Sequence, residues 1–463
     1  MFRYAVFSAM GHTIFVVVGL LIYVMATRIG HQHRPPASAM GWVISIVAFP
    51  YVAVPLFLMF GSRKLARPQK HRRGTSAAVP APEGGPPWAT QVLESMELPR
   101  PVHNDLLEWH ADGASALKSL MDLIDSAERS LDIGTFIFGN DAVGDAVVQA
   151  MLRCRARGVR VRFMIDAIGS MQTRSSTLRR LRKAGIRVRR FMPLWHNPRR
   201  GRLNLRNHRK VAIADGKHLW SGGRNLAEEY FHDIDGMPAW IDLSHVAHGP
   251  LAAQAAAQFD SDWRTANGRV RHADSHVNAP PGPESGAWAQ WVATGPDHAD
   301  DTIHELLLTS CYHAQKRIVL VTPYFVPDDA LLDAWCMACR RGVQVSLIVP
   351  RKSNHRLADW ARERALRQLC AAGAHVWLVP HMLHAKAVLI DDDVALSGSL
   401  NLDARSLFLN YEVMTAFYSE PQIRWLSDWC ARMVGKSRPY VAHAPGVLRD
   451  VGEGLVRSVG FQL

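Results

Sequence analysis

Residues 208–215 read His208-Arg209-Lys210-Val211-Ala212-Ile213-Ala214-Asp215, and residues 384–391 read His384-Ala385-Lys386-Ala387-Val388-Leu389-Ile390-Asp391. Both fit His-x-Lys-x4-Asp, and each is followed by a glycine turn and an asparagine: Gly222-Gly223-Arg224-Asn225 and Gly398-Ser399-Leu400-Asn401. The apolar run after each lysine reads as buried strand. Side chains on a strand alternate faces, so a His and a Lys two apart point the same way. The turn then brings Asn225 or Asn401 back beside them. Two such copies put two histidines, two lysines and two asparagines around one small volume. That set suits a phosphodiester: Lys210, Lys386, Asn225 and Asn401 hold the non-bridging oxygens, one imidazole attacks phosphorus, and the other protonates the departing oxygen. The lysines supply the cationic charge, so the reading needs no metal and no cofactor. Asp215 and Asp391 recur with the motif and stay in the candidate catalytic set, although at strand ends they read first as turn anchors.

Outward from these motifs the chain repeats itself. Ala127 to Ile133, a helical stretch, and Arg157-Gly158-Val159 leading into Arg160 to Ile165 form the first copy. Ala314 to Leu320, a helical stretch, and Arg341-Gly342-Val343 leading into Gln344 to Val349 form the second. Ala184-Gly185-Ile186-Arg187-Val188 answers Ala372-Gly373-Ala374-His375-Val376. Alternating helix and buried strand is the pattern of an α/β layered domain. A long unit occurring only twice is a two-domain duplication and not a solenoid.

Two apolar runs precede the repeats, Ala5 to Ala26 and Met40 to Phe60. Each has about 20 residues, the length of a membrane span. A cleaved signal peptide would account for the first run but not for the second. Arg63, Lys64, Arg67, Lys70, Arg72 and Arg73 follow the second run, whereas the loop between the runs has only Arg28 and Arg34. The positive-inside rule then places the N-terminus and everything after Arg63 in the cytoplasm. The expected organisation is two transmembrane helices (1–62), a basic, Pro/Gly-rich extended linker (63–100), α/β domains at 101–280 and 281–440, and an amphipathic tail (441–463). In that tail Leu448, Val451, Leu455, Val456 and Val459 share a helical face.

The formal net charge is +13, from 54 Lys+Arg and 41 Asp+Glu. The excess is local: residues 151–210 hold 19 basic side chains and one acid, Asp166. Such a balance favours an anionic partner, nucleic acid or acidic lipid, and the apolar runs favour the lipid. The first copy also has about a dozen more residues before its motif than the second, among them Trp195, Arg199, Arg200 and Arg202. This insertion is expected either at the mouth of the site, touching anionic headgroups, or as a solvated loop. Six cysteines in a chain this long exclude a disulfide scaffold. Cys336-x-x-Cys339 has no second pair or nearby His pair, and reads as two buried thiols and not as zinc ligands.

The paired motifs resemble the phospholipase D superfamily. The stretches around them resemble its bacterial cardiolipin synthases: Phe136-Ile137-Phe138, Asn225 through Tyr230, Thr322-Pro323-Tyr324-Phe325-Val326-Pro327, Asn401 through Ser406, and Asn410-Tyr411-Glu412. The resemblance implies two pseudo-symmetric α-β-α layered domains with one active site at their interface. It also implies transfer of a phosphatidyl group through a phosphohistidine, in which two phosphatidylglycerol molecules give cardiolipin and glycerol at the bacterial inner membrane. By the same analogy His208 is the nucleophile and His384 the acid, and Glu412, with Glu228 or Glu229, orients an imidazole. One departure is Trp240-Ile241-Asp242, where the family pattern has arginine in the middle; it bears on lipid specificity. Hydrolysis by a phospholipase D, cleavage of nucleic acid, and a degenerate membrane scaffold are the competing functions. The intact His, Lys and Asn of both copies argue against the last, and the apolar runs against the nuclease.

Overall fold

The computed structural model describes residues 2–29, 36–61, 84–193, 204–267 and 286–446, with 449 and 453. The 195–202 part of the insertion, the basic cluster at 63–73, the expected domain boundary at 280 and the apolar stripe of the tail lie outside the described residues.

Each repeat builds one sheet on the same plan. The first runs Leu106–His110, Ser244–His248, His218–Gly222, Val211–Ala214, Ser130–Thr135, Arg160–Asp166, Arg187–Phe191. The last three strands are parallel, and Val211–Ala214 begins the antiparallel half by pairing Ala212 with Ile133. The second sheet repeats this order through Glu412–Phe417, Val394–Gly398, Ala387–Ile390, Arg317–Val321, Gln344–Pro350 and His375–Val379, with Leu320 paired to Val388. Ala287–Thr294 and Val102–Asn104 extend it at one edge and Arg438–Pro439 at the other.

Strand alternation sorts the cores. Ala212 and Ala214 face a core private to the first lobe, and Val388 and Ile390 one private to the second. Val211, Ile213, Ala387 and Leu389 face a third core shared by both lobes with the helices Pro250–Ala266 and Glu420–Gly435. A continuous apolar core between the sheets is what holds the two lobes in register.

Two expectations are corrected. Where the sequence predicts an extended linker, Pro87–Ser95 is a helix that buries Ala89 and Leu93 in the second lobe's core. Pro86-Pro87 does not prevent this, because proline is at home in the first helical turn. The second correction concerns the membrane segment. Phe2–Ile29 is one apolar helix, long enough to cross a bilayer. The second run is not one span: it is two helices, Pro36–Ala48 and Pro50–Phe60, broken at Phe49. Proline at 50 drives the preceding residue out of the helical region, and Phe49 has φ −137°. The two pieces fold back on each other, with the Trp42 and Phe57 rings 5.2 Å apart, and Tyr23 of the long helix packs on Phe57. At 1.5 Å per residue each piece is about 16–20 Å long, short of a hydrocarbon core of about 30 Å.

Candidate active site

The two His-x-Lys motifs meet where the lobes touch. Each enters on the segment just before its strand, and backbone hydrogen bonds from the other lobe pin it. His208 donates its N–H to the Tyr411 carbonyl (2.9 Å), and Tyr411 donates to Arg206 (2.8 Å). His384 donates to the Ile241 carbonyl (2.7 Å), and Ile241 to Met382 (2.9 Å). Position 241 therefore contributes its backbone to the site, while its side chain packs on the shared core.

The next residue after each of these partners is an acid, and it faces the histidine. Nδ1 of His208 lies 2.9 and 3.0 Å from the two Glu412 carboxylate oxygens, and 3.1 Å from the Ser399 carbonyl. All three are acceptors, so the proton sits on Nδ1 and the Nε2 lone pair is free. Ser399 donates its hydroxyl to Glu412 (2.5 Å) and fixes that carboxylate. Nδ1 of His384 lies 2.7 Å from Asp242. Asp242 is the partner that sequence reasoning missed. It expected Glu228 or Glu229, but Glu228 stands in the short turn Glu228–Tyr230, with its N–H bound to Asp141 (3.1 Å). The signal is spatial: Ile241 bridges to Leu383, which sets Asp242 against His384.

Lys210 and Lys386 are almost wholly buried. Lys210 donates to the His208 carbonyl (2.6 Å), and Lys386 reaches both ring nitrogens of His384 at 2.7 and 3.0 Å. Burial dominates the protonation of the site. It pushes His208 down to about 4 against the pull of Glu412, and His384 down to about 3, with Lys386 lowering it further against Asp242. Burial also lowers Lys386 to about 8 and Lys210 well below the usual lysine range. Burial would raise the Asp242 carboxyl, but His384 and Lys386 hold it at about 2. Both imidazoles are therefore neutral, and two buried lysines share the site with the Glu412 and Asp242 carboxylates.

The asparagines differ. Asn225 accepts from the Ile137 N–H (3.2 Å) and donates to the Tyr230 hydroxyl (2.7 Å). The Asn401 side-chain oxygen is buried without a hydrogen bond. Tyr230, whose ring lies 5.0 Å from that of His384, is a second residue the motif does not announce. Burial pushes its hydroxyl well above the ordinary range, so it keeps a proton to donate. Phe136 packs edge-on to His208 at 4.9 Å.

Asp215 and Asp391 do not join this group. They close the far ends of their strands with φ of 58° and 48°. Asp215 accepts from the N–H groups of Glu128, Arg129 and Ser130 at 3.0, 2.8 and 2.7 Å. Asp391 accepts from Gln315, Lys316 and Arg317, each at 2.8 Å. A strand of four residues is about 13 Å long, which separates these acids from the imidazoles and makes them loop anchors, not members of the catalytic set.

The arrangement offers one imidazole for attack on phosphorus and another on the opposite lobe for proton transfer, each histidine hydrogen-bonded to the lysine of its own motif. Known proteins bear on the same pattern. The family described as "Cardiolipin synthase, PLD-like domain" matches residues 120–263 and 307–434. Cardiolipin synthase A of Klebsiella pneumoniae subsp. pneumoniae is 32% identical over 424 residues, covering 86% of this chain and 87% of the relative. Cardiolipin synthase A of Serratia proteamaculans is 33% identical over 423 residues, covering 85% and 86%. Among solved structures, a phosphatidylserine synthase from Haemophilus influenzae superposes with TM-score 0.60 at 14% identity, over 81% of this chain and all of that one. Polyphosphate kinase from Porphyromonas gingivalis gives 0.50 at 12% identity, over 86% and 59%. These two likenesses speak for the fold alone. With both family segments falling on the two lobes and the likeness to curated relatives running through almost the whole length, the chain belongs to the cardiolipin synthase family of phospholipase D-like proteins.

Proposed function

We propose that this chain is a membrane-anchored phosphatidyltransferase that joins two phosphatidylglycerol molecules into cardiolipin and releases glycerol. The observation that carries the reading is the pair of buried imidazoles, each held at Nδ1 by a carboxylate of the opposite lobe. In the first half-reaction Nε2 of His208 attacks phosphorus, the bond from phosphorus to the glycerol oxygen breaks, and His384 as imidazolium protonates that oxygen. Burial keeps His384 neutral in the empty site; the phosphodiester brings the negative charge that favours its protonated form. In the second half-reaction a hydroxyl of another phosphatidylglycerol gives its proton to His384 and attacks phosphorus. The phosphorus–nitrogen bond breaks and His208 is restored. Lys210, Lys386 and Asn401 stabilise charge on the non-bridging oxygens, with Tyr230 and Asn225 beside them.

For location we propose the bacterial inner membrane. Phe2–Ile29 crosses it, and the hairpin formed by Pro36–Ala48 and Pro50–Phe60 enters and leaves on the side where that helix ends. The cationic cluster Arg63 to Arg73 favours the cytoplasm for this side and for the lobes; with one full span before it, Phe2 then lies on the other side, in place of the cytoplasmic N-terminus expected from two spans. The test is to incubate the detergent-solubilised full chain with phosphatidylglycerol labelled separately in acyl chain and headgroup glycerol. Labelled cardiolipin with free glycerol is expected. Phosphatidic acid as the only lipid product would make the chain a hydrolase of the same superfamily.

A further inference from the structure

We propose that the rim of this site is itself a membrane-docking surface, on which Ile168 and Met171 of one lobe and Leu357 and Trp360 of the other enter an anionic lipid surface. The inference rests on the phosphatidyltransfer reading for the nature of the substrate. Its evidence is independent: four exposed apolar side chains on the segments that follow equivalent strands of the two lobes, Ile168 and Met171 in the turn before the helix Ser175–Lys183, and Leu357 and Trp360 in the first turns of the helix Arg356–Ala371.

The two segments follow equivalent strands, Arg160–Asp166 and Gln344–Pro350. In the first lobe Ser170 donates its hydroxyl to the Phe136 carbonyl (2.7 Å), and Phe136 packs on His208. In the second lobe Tyr324 donates to Asn354 (2.5 Å) and packs on His355 at 5.3 Å. Phe136 and Tyr324 belong to matching turns: Thr135 donates to the Ile137 carbonyl and Thr322 to the Tyr324 carbonyl, both at 2.9 Å. Tyr324 in turn interacts electrostatically with Tyr230, which packs on His384, so each segment adjoins a turn beside the site.

On these segments Ile168 is 39% exposed, Met171 66%, Leu357 56% and Trp360 51%. Single exposed apolar residues are ordinary, but a group around one opening is not. The other large exposed apolar residues described on the lobes, Leu106, Tyr312, Met337 and Val441, stand on separate elements. Met237 is exposed too, but its turn carries Asp233 and Asp235, which an anionic surface would repel. Charge selects the occupant. Arg351, Lys352 and Arg356 are exposed beside Leu357, and the one acid of that stretch, Asp359, is neutralised by Arg362 at 3.0 Å. Arg174 plays the same part beside Met171. Apolar side chains next to exposed cations, with a tryptophan among them, match the headgroup layer of an acidic bilayer.

The test uses the full chain in nanodiscs of phosphatidylcholine and phosphatidylglycerol, doped with a phosphatidylcholine whose acyl chain carries a diazirine close to its ester. After illumination, adducts are expected on peptides containing 168–171 and 357–360 as well as on the N-terminal helices. Adducts confined to residues 2–61 would overturn the proposal. A Leu357→Ser/Trp360→Ser variant is expected to lose about tenfold in turnover of bilayer phosphatidylglycerol. It keeps wild-type turnover of a short-chain phosphatidylglycerol dispersed as monomers, and equal loss on both substrates would also overturn the proposal. If the rim is labelled while the wild-type chain turns over neither lipid, the phosphatidyltransfer reading fails and the docking surface stands.

Discussion

Nδ1 of His208 lies 2.9 Å from the carboxylate of Glu412, a residue 204 positions later that belongs to the other lobe. Asp242 returns the relationship to His384 at 2.7 Å across 142 positions. Each lobe therefore orients the imidazole of its partner, and neither holds a complete site. Glu412→Gln and Asp242→Asn keep shape but lose the charge that fixes the ring and favours its protonated form. Each is expected to lower kcat at least about 100-fold with little change in KM, measured by steady-state turnover of phosphatidylglycerol.

The acid–base balance of the site predicts a kcat/KM that is highest at acid pH and bounded on both sides, because His384 is neutral in the free site and must take up a proton before it acts as the acid. His208 must be neutral to attack. As pH falls through its value of about 4 it gains a proton and activity declines. Lys386 must be charged to stabilise the phosphoryl oxygens. As pH rises through its value of about 8 it loses that charge and activity declines again. A pH profile of kcat/KM, which reports the free enzyme, checks both limbs, and Lys386→Arg is expected to remove the alkaline limb from whatever activity it retains.

Tyr230→Phe separates a donor from a packing element. The ring remains against His384 and the hydroxyl that binds Asn225 is lost. Turnover is expected to fall about tenfold or more, with the melting temperature nearly unchanged. Thermal unfolding and initial rates on the same preparation decide this.

Asp215→Ala makes the opposite prediction. It strips three backbone N–H groups of their acceptor at the loop before Ser130–Thr135. The cost is expected to be roughly 1–3 kcal/mol in unfolding free energy, while kcat of the folded fraction stays within about threefold. Denaturant titration with kcat measured below the transition distinguishes an anchor from a catalytic acid.

Much of this fold is legible in the sequence because the duplication writes it twice, and strand alternation explains why. His208 and Lys210 share a face, whereas Arg209 points the other way into the shared core. There it bonds Asp262, Asp297 and the carbonyls of Thr294 and Glu412. What the sequence hides depends on contacts between distant segments. Asp242 faces His384 only because Ile241 and Leu383 form a bridge between lobes. Pro87–Ser95 looks like linker by its prolines, yet Ala89 and Leu93 find a core formed by residues more than 200 positions away. The second apolar run has the composition of a span, and only the break at Phe49 and the Trp42–Phe57 contact turn it into a hairpin.

The central claim is that two histidines from different lobes serve one reaction. The most direct measurement is the initial rate of cardiolipin formation by His208→Ala and His384→Ala, each purified as the full chain with a melting temperature close to wild type. Both are predicted to fall to background, and a mixture of the two to stay there, since each molecule then lacks one imidazole. Substantial turnover by either variant alone would contradict a single shared site.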